Sequence, residues 1–419
     1  MCWQIIEMNF YLFNMEYNII LLYYESGHPT GVIRYIEMLK RGLLIQRKYK
    51  VHRIILTSSV FFPEICEKDG LILAKIPFLI NPYSSNCYWR NKYYRIIVGL
   101  LESYLKGKKN VILHEQDSFL SELTLLFKKK IGGLILLHLH IIPWKFTLET
   151  DERTFNKMYK ESQNGITNLI GSNFNEQNAY STADKIICVS KSAQRHVDSV
   201  CKNEKIERVV IYNGLCAKKS KIKRIYSRRI NILFVGRISK EKGVFALLNA
   251  LQKVRDKEKK VKLTLAGNCD LRTRNRIYAN YNDLEIDFLG NVSYEKLTRL
   301  YSTCSIGIIP SLHEQCSYVA IEMSMFGVPI IVSDVDALSE MFEDGVNALK
   351  IPVIFDEDFG LELDEAQLAS AITRLIEDEA LRQRLSTNAV KNYEENFTLK
   401  KMIQNTIKVY EQLIEQDNA

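Results

Sequence analysis

Four charged residues in the second half of this 419-residue chain have types and spacings that suit a phosphorylated sugar as ligand. Glu314 and Glu322 are separated by seven residues. On a helix of ~3.6 residues per turn their carboxylates lie about two turns apart and can face one ligand. Arg237 and Lys242 lie five residues apart around a turn between a predicted strand and a predicted helix. Cations placed there neutralise a diphosphate, and carboxylates accept hydrogen bonds from sugar hydroxyls.

The elements that carry the glutamates form a strand–helix–strand pattern. Residues 306–310 are a short apolar run typical of a buried parallel strand, residues 311–317 are a polar loop, and residues 330–333 are a second strand beyond a helical pattern. Ligands of such sheets bind at the carboxyl ends of the strands, where the backbone N–H groups of residues 316–319 point at an anion. A single acid on a helix more often caps it or pairs with lysine, and from the residues alone that alternative stays open for Glu322.

Composition indicates a globular chain with two domains and an anionic partner. The chain has 47% hydrophobic and 25% charged residues, a net charge of +8 and a pI near 8.8, so nucleotides, nucleic acids and acidic membranes are all candidate partners. Nine cysteines without metal-binding spacing predict a reduced, cytoplasmic protein. No apolar run reaches the ~20 residues that span a bilayer. We expect no signal peptide, and the start codon is either Met1 or Met15.

Histidines end two predicted strands in the first half of the chain. Residues 111–114 end in His114, and residues 134–140 contain His138 and His140. Carboxyl ends of parallel strands line ligand sites, although a histidine there is more often structural. His138 and His140 share one face of their strand, so which of them faces a ligand stays open.

Two basic stretches have more than one interpretation. Residues 83–104 interleave tyrosines with cations, a pattern of amphipathic packing, of a lipid headgroup contact or of nucleic-acid stacking. Residues 218–224 are a basic run that a solvated linker explains most simply, because stacking aromatics and a nucleic-acid module are absent from it. We therefore predict no nucleic-acid partner and leave a peripheral membrane contact open.

The motif around the glutamates resembles the signature of the family-4 retaining glycosyltransferases. The matching residues are Glu314, Glu322, Gly327-Val328-Pro329, Ser333-Asp334 and Glu340. The chain departs from the family at residues 315–318, Gln-Cys-Ser-Tyr, where glycine and phenylalanine are common. The segments HPTGVIRYIEML and HEQCSYVAIEM also resemble a bacterial subgroup associated with peptide-modifying enzymes.

The resemblance implies a GT-B architecture, in which two Rossmann-like parallel-sheet domains face each other across a cleft. Residues 1–214 would form the acceptor-side domain, with a C-terminal helix at 398–419 packed back on it. Residues 215–229 would be a basic linker, and residues 230–397 would bind the nucleotide sugar. The implied activity is metal-independent transfer of a hexose, with retention, from a UDP-, GDP- or ADP-sugar to a glycan, lipid-linked or peptide acceptor, without a cofactor.

The resemblance also implies roles for individual residues. Arg237 and Lys242 would bind the diphosphate, Glu314 the reacting sugar and Glu322 the ribose, while His140 would reach the donor sugar. Gly31 would meet the donor from the first half of the chain, with Gly27 as a further candidate in the same turn. The remaining expected nucleotide-sugar contacts are Gly290, Val292, Ser317, Tyr318 and Val319.

Three other interpretations remain at this point. Asp334 and Asp336 form an acid pair of the kind that binds a metal in another glycosyltransferase architecture. A sugar-nucleotide epimerase would share the fold but need acid–base groups that act without an acceptor. A sugar-binding or partner-binding protein without turnover would need neither acid–base groups nor an acceptor. We expect the acid pair to bind no metal, because the resembled family has acids in this loop in any case.

Overall fold

The structure of the protein is a computed structural model. It describes residues 16–25, 30–79, 87–142, 144–145, 150–162, 171–201, 203–217, 229–254, 261–356 and 360–418. These residues divide into two compact units. The N-terminal unit consists of the described residues of 3–144, 153–213 and 399–419, and the C-terminal unit of those of 145–152 and 214–398. Gly27 and the basic run at 218–224 lie outside the described residues. No described helix is long and apolar enough to cross a membrane.

One mostly parallel sheet organises the N-terminal unit. Its strands are β1 Tyr17–Glu25, β2 Tyr49–Thr57, β3 Glu64–Lys68, β4 Leu71–Pro77, β5 Val111–Glu115, β6 Leu134–Leu139, β7 Lys185–Cys188 and β8 Glu207–Val210. Their order is β3-β4-β2-β1-β5-β6-β7-β8, and only β3 runs antiparallel to its neighbour. Strand order therefore reverses between β1 and β5, which is the place where Rossmann-like sheets bind ligands.

The helices of this unit lie between the strands, as parallel pairing requires. They are α1 Gly31–Leu44, α2 Cys87–Leu105, the 3₁₀ helix Ser118–Leu120, α3 Ser121–Ile131, α4 Glu152–Ser162, α5 Gly171–Thr182 and α6 Lys191–Val200. Two of these helices have a hydroxyl side chain as N-cap. Thr30 caps α1 and Ser190 caps α6, each by accepting a backbone N–H.

A second parallel sheet organises the C-terminal unit. Its strands are β9 Ile230–Val235, β10 Val261–Ala266, β11 Ile286–Gly290, β12 Ile306–Ile309, β13 Ile330–Ser333 and β14 Leu349–Ile351, and a separate antiparallel hairpin consists of β15 Val353–Asp356 and β16 Gly360–Leu363. The sheet order is β11-β10-β9-β12-β13-β14, all parallel. The reversal here falls between β9 and β12.

Helices cover this sheet and complete its apolar core. They are α7 Val244–Lys253, α8 Leu271–Asn280, α9 Tyr294–Thr303, α10 Tyr318–Met325, α11 Asp336–Met341, α12 Glu365–Glu377 and α13 Glu379–Asn396. The core joins strand residues such as Ile232 and Ile308 to Leu248 of α7 and Ile372 of α12, all essentially inaccessible. The last helix, α14 Leu399–Asn418, belongs to the N-terminal unit and contacts α1 and β6.

The sequence patterns missed three features. The antiparallel edge strand β3 is mostly exposed, so it lacks the apolar pattern that marks a buried strand. Residues 171–178 contain a glycine and three asparagines, a composition that favours a loose segment, but they begin helix α5. The sequence between the strand that ends at Ile351 and the helix that begins at Glu365 favours a loop, but it contains the antiparallel strands β15 and β16. In all three segments the local preference for helix or strand is weak, so contacts with neighbouring structure determine the conformation.

Candidate functional site

The loop after β9 and the loop after β12 are locked together at the point where strand order reverses. Gly243 ends the first loop with φ +68°, and a Cβ there would lie 1.8 Å from the carbonyl oxygen of Pro310. Only glycine tolerates both the left-handed backbone and this approach. The N–H of Leu312 also donates to the carbonyl of Glu241 at 2.9 Å. The two loops therefore present their side chains as one surface at the carboxyl edge of the sheet.

A lysine–glutamate pair lies on these two loops. The ammonium of Lys242 donates to Oε1 of Glu314 at 2.5 Å, and the hydroxyl of Ser311 donates to the same oxygen at 3.2 Å. Both charged side chains are half-buried. The structure thus brings together Lys242 and Glu314, two residues that the sequence predicted to act on one ligand. Arg237 lies on the same loop as Lys242 with its side chain exposed.

Arg237 also acts on its immediate surroundings. A hydrogen bond from Ser239 lowers the pKa of Glu241, and the charges of Arg237 and Lys240 lower it further against the opposing effect of burial. The loop therefore contains several cations and an ionised Glu241 beside the site. Its positive charges suit an anionic ligand.

Asp336 contacts the backbone of Glu314, whereas Lys242 contacts its carboxylate. Its Oδ2 accepts the backbone N–H of Glu314 at 3.1 Å, and its Oδ1 accepts a hydrogen bond from Lys145. His313 Nδ1 lies 3.6 Å from Oδ2. From the sequence, Asp336 is a candidate only as a metal ligand. The sequence around Lys145 gives no sign that Lys145 contacts Asp336. Such a contact, 191 residues apart in sequence, is visible only in the fold.

The acid pair Asp334 and Asp336 does not have the surroundings of a metal site. Each carboxylate is already engaged by a cation, Asp334 by Lys350 at 2.7 Å and Asp336 by Lys145. Among the described residues no group of three or more histidines, cysteines or acids could hold a metal ion.

Helix α10 places the second glutamate deep in the unit. Glu322 is 1% exposed, and its Oε2 accepts a hydrogen bond from the hydroxyl of Tyr301 on α9 at 2.8 Å. Ser317 caps α10 by accepting the N–H of Ala320 at 3.4 Å. Tyr318 is the first residue of the helix and is buried, while Val319 is half-buried. Glu322 is therefore more deeply buried than Glu314 and is held by a side chain of a neighbouring helix.

Three predicted glycine and loop positions lie at or between the ends of strands and helices. Gly290 ends β11 with φ +61°, has open space where a Cβ would be, and accepts the N–H of Gly267 at 2.8 Å. Val292 follows in the loop before α9 and is half-buried. Gly31 is the exposed first residue of α1 in the N-terminal unit. Each position fits a backbone contact with a ligand, but none is paired with another predicted residue.

His140 belongs to a stack of three imidazoles at the ends of β5 and β6. Its ring stacks on His138 at 4.2 Å between centroids, and His138 stacks on His114 at 5.5 Å. Nε2 of His140 lies 3.0 Å from Oε1 of Gln116, and Nδ1 of His114 lies 2.7 Å from the Tyr410 hydroxyl. Burial lowers the pKa of His114 and of His140 to about 3, and it lowers the pKa of His138 well below the usual range. The imidazoles are therefore neutral at pH 7.

Comparison with known proteins finds similarity to glycosyltransferases. Residues 217–392 match the family model of glycosyl transferases group 1. An uncharacterized glycosyltransferase of Methanocaldococcus jannaschii is 28% identical over 378 residues, which cover 86% of this chain and 98% of the relative.

Solved structures agree on the fold. Sucrose-phosphate synthase of Thermosynechococcus elongatus has a TM-score of 0.74 and 18% identity over 96% of this chain and 100% of that chain. HepE of Anabaena, solved in complex with UDP-glucose, has a TM-score of 0.65 and 15% identity over 94% of this chain and 99% of that chain. The GT-B fold expected from the sequence is confirmed, residues 217–392 match the glycosyl transferases group 1 model, and the chain is similar to glycosyltransferases over most of its length.

Proposed function

We propose that the protein is a metal-independent, retaining hexosyltransferase of family 4 that takes its sugar from a nucleotide diphosphate donor. The observation that carries the proposal is the contact between Lys242 and Glu314 on two locked loops at the reversal of strand order. A cation and a carboxylate at this edge match the two ends of such a donor, its diphosphate and its sugar hydroxyls. An epimerase or a binding protein would use the same contacts to hold a nucleotide sugar, and the products formed from labelled donors distinguish them from a transferase.

The contact between Lys242 and Glu314 would change when the donor binds. In the free protein Lys242 neutralises Glu314. A donor diphosphate offers Lys242 a second anion, and Arg237 lies exposed on the same loop to share it. The charge that builds on the diphosphate as the sugar leaves is then stabilised by groups already in position. Glu314 would accept hydrogen bonds from sugar hydroxyls, and a neutral His140 would act as a hydrogen-bond partner rather than as a cation.

The identity of the donor is part of the proposal. The HepE structure contains UDP-glucose, and we take UDP-glucose as the first donor to test, followed by GDP- and ADP-sugars. Glu322 would receive the ribose, with main-chain atoms near Gly290 and Val292 at the base and those of residues 317–319 at the phosphates. Gly31 would be a further main-chain contact of the donor.

Metal independence has its own support. Asp334 and Asp336 are each engaged by a lysine, so neither carboxylate is offered to a cation from solution. We expect EDTA to leave most of the activity intact. If activity disappeared with EDTA and returned with manganese or magnesium, metal independence would be wrong, and Asp334 and Asp336 would become the leading site.

The decisive experiment incubates the protein with labelled UDP-, GDP- and ADP-sugars and follows three products. Transfer to a glycan, lipid-linked or peptide acceptor, or hydrolysis to free sugar and nucleoside diphosphate, supports the proposal. Accumulation of an epimer, or tight donor binding without turnover of any kind, contradicts it. Proton NMR of the glycosylated product reads the anomeric configuration, and an inverted product would disprove retention.

We also propose that the protein acts in the cytoplasm with the N-terminal unit in contact with an acidic membrane surface. Phe61 and Phe62, in the turn after β2, are 87% and 79% exposed, and Trp89 on the nearby helix α2 is 58% exposed. Tyr93 of α2 donates to the carbonyl of Pro77, which pairs with the end of β2, so turn and helix are neighbours. Residues 87–109 contain six lysines or arginines and one acid. Exposed apolar rings with an exposed cation beside them, as Lys92 lies beside Trp89, suit anionic lipid, and favour a lipid-linked acceptor over a peptide.

Vesicle sedimentation tests the membrane proposal. We expect binding to phosphatidylglycerol-containing vesicles but not to phosphatidylcholine alone, and loss of binding in the double variant Phe61→Ser, Phe62→Ser. The matched control is Leu271→Ser, which removes an apolar side chain that is 75% exposed in the C-terminal unit. Equal binding by both variants would disprove the surface.

A further inference from the structure

Asp336 contacts the main chain of Glu314 rather than its carboxylate. Oδ2 of Asp336 accepts the N–H of Glu314 at 3.1 Å, and the N–H of Ala337 donates to the carbonyl of Glu314 at 3.1 Å. Both polar groups of the Glu314 backbone are thus held by two consecutive residues. Lys242 and Ser311 contact the carboxylate of the same residue. The position of Glu314 is fixed at both ends.

The carboxylate of Asp336 is part of a buried charge network. Lys145 and His313 contact it, and all three side chains are at most 7% exposed. Burial alone raises the pKa of the Asp336 carboxyl, but the hydrogen bond from His313 and the charge of Lys145 outweigh it and lower that pKa below its usual range. An ionised group is retained in such surroundings only when its partners are in place.

The backbone at Asp336 is also unusual. Its φ is +44°, one of three positive values among the non-glycine residues that the structure describes. This region of backbone space is uncommon for residues with a Cβ, and residues held there cluster at functional sites. Glycine would adopt it without strain, so a residue chosen only for the turn would be expected to be glycine.

We propose that Asp336 is a positioning residue for the sugar end of the donor site. It fixes the backbone of Glu314, so that the carboxylate stays in place when Lys242 turns to the diphosphate. The inference rests on the proposed role of Glu314 in holding the donor sugar. Asp336 itself touches neither the nucleotide nor the reacting atoms in this scheme.

Two variants and a control test the proposal. Asp336→Asn keeps the shape of the side chain, but its amide cannot satisfy Lys145, His313 and the Glu314 N–H together. Asp336→Gly removes the carboxylate and also removes the strain of the positive φ. It therefore provides a second variant if Asp336→Asn does not fold. Asp334→Asn is the matched control, because Asp334 lies two residues away and contacts Lys350 instead.

The readouts separate positioning from structural support. We expect kcat for sugar transfer to fall tenfold or more in both Asp336 variants, with the Kd for the bare nucleoside diphosphate within about threefold of the parent protein. Hydrogen–deuterium exchange should accelerate in the segment containing the Glu314 N–H, a readout that needs no donor. The control should change neither.

Two results would overturn the proposal. One is a kcat within about threefold of the parent for Asp336→Gly. The other is a joint loss of kcat and nucleotide affinity, which indicates collapse of the site rather than misplacement of Glu314. A parent protein that transfers no sugar from any donor would instead disprove the proposed function, while accelerated exchange at Glu314 would still support the contact.

Discussion

The two sheets have the same strand order around their reversal points, yet they treat the polar residues at their carboxyl edges in opposite ways. At the edge of β9 and β12, Lys242 and Glu314 are half-buried, charged and paired. At the edge of β5 and β6, His114 and His138 are buried and neutral. Topology brings polar side chains to both edges, but burial keeps the imidazoles neutral, whereas cationic partners keep the buried carboxylate of Asp336 charged. The C-terminal edge therefore suits an anion, and the N-terminal edge suits neutral hydrogen bonding.

The largest expected effect concerns the cations of the C-terminal edge. Lys242→Ala and Arg237→Ala should each lower kcat/KM by about 100-fold or more, because a preorganised charge on the leaving group is lost. Lys240→Ala is the control, since Lys240 is an exposed cation on the same loop. Steady-state kinetics with circular dichroism measure the effect. Unchanged turnover in both folded variants would disprove the assignment of Lys242 and Arg237 to the diphosphate. The C-terminal edge would then not differ from the N-terminal edge as an anion site.

Glu314 and Glu322 differ in burial, and we expect their substitutions to change different kinetic and binding constants. Glu314→Gln should lower kcat by about tenfold to 100-fold while nucleoside diphosphate still binds, because Glu314 lies at the sugar end of the proposed site. Glu322→Gln should mainly weaken nucleotide binding, and Tyr301→Phe, which removes its hydroxyl partner, should weaken it less. Calorimetry with the bare nucleotide and kinetics with the sugar donor distinguish the two roles. The reverse pattern would mean that the donor lies in the opposite orientation.

The imidazole stack should make the N-terminal unit sensitive to acid. Unfolded histidine has a pKa of ~6.5, and burial lowers the pKa of His114 and His140 to about 3, so the unfolded chain binds protons first as pH falls. This stability is complete above about pH 6.5 and is lost progressively towards pH 3. Each histidine contributes up to about 1.4 kcal/mol per pH unit within that window.

His138→Leu tests the stack directly, because neither ring nitrogen of His138 has a hydrogen-bond partner among the described residues. We expect a change of less than about 1.5 kcal/mol in the free energy of unfolding at pH 7.5 and a shallower loss of stability between pH 6.5 and 4. Denaturant unfolding at a series of pH values measures both. An unchanged pH slope would show that acid sensitivity arises elsewhere.

The sequence predicted the C-terminal edge better than the N-terminal edge for a physical reason. Strand β13 has the predicted bounds, since its apolar run and flanking turns are local signals. The proximity of Lys242 and Glu314 followed from the rule that strand ends share an edge. The contact of Asp336 with Lys145 depends on segments 191 residues apart, and the stack of His140 depends on Tyr410 in the last helix, so no local pattern announces them.

The smallest expected effect compares two buried glutamines, one at each edge. Gln315 lies in the Glu314 loop, and neither its amide nitrogen nor its oxygen has a hydrogen-bond partner among the described residues. Gln116 is equally buried, but it donates to the carbonyl of His114 at 3.3 Å and lies 3.0 Å from His140. Replacing an unpaired buried amide by an apolar group of similar shape is neutral or stabilising, whereas breaking a paired one costs about 1–3 kcal/mol.

Gln315→Met should therefore leave the free energy of unfolding unchanged or raise it by up to about 1 kcal/mol, while Gln116→Met should lower it. Both are measured by denaturant unfolding without donor. Repeating the measurement with saturating nucleotide sugar and with bare nucleotide sharpens the result. If a sugar hydroxyl satisfies the Gln315 amide, the stabilisation by nucleotide sugar over bare nucleotide will be smaller in Gln315→Met than in the parent protein. Equal stabilisation in both proteins would mean that Gln315 does not contact the sugar.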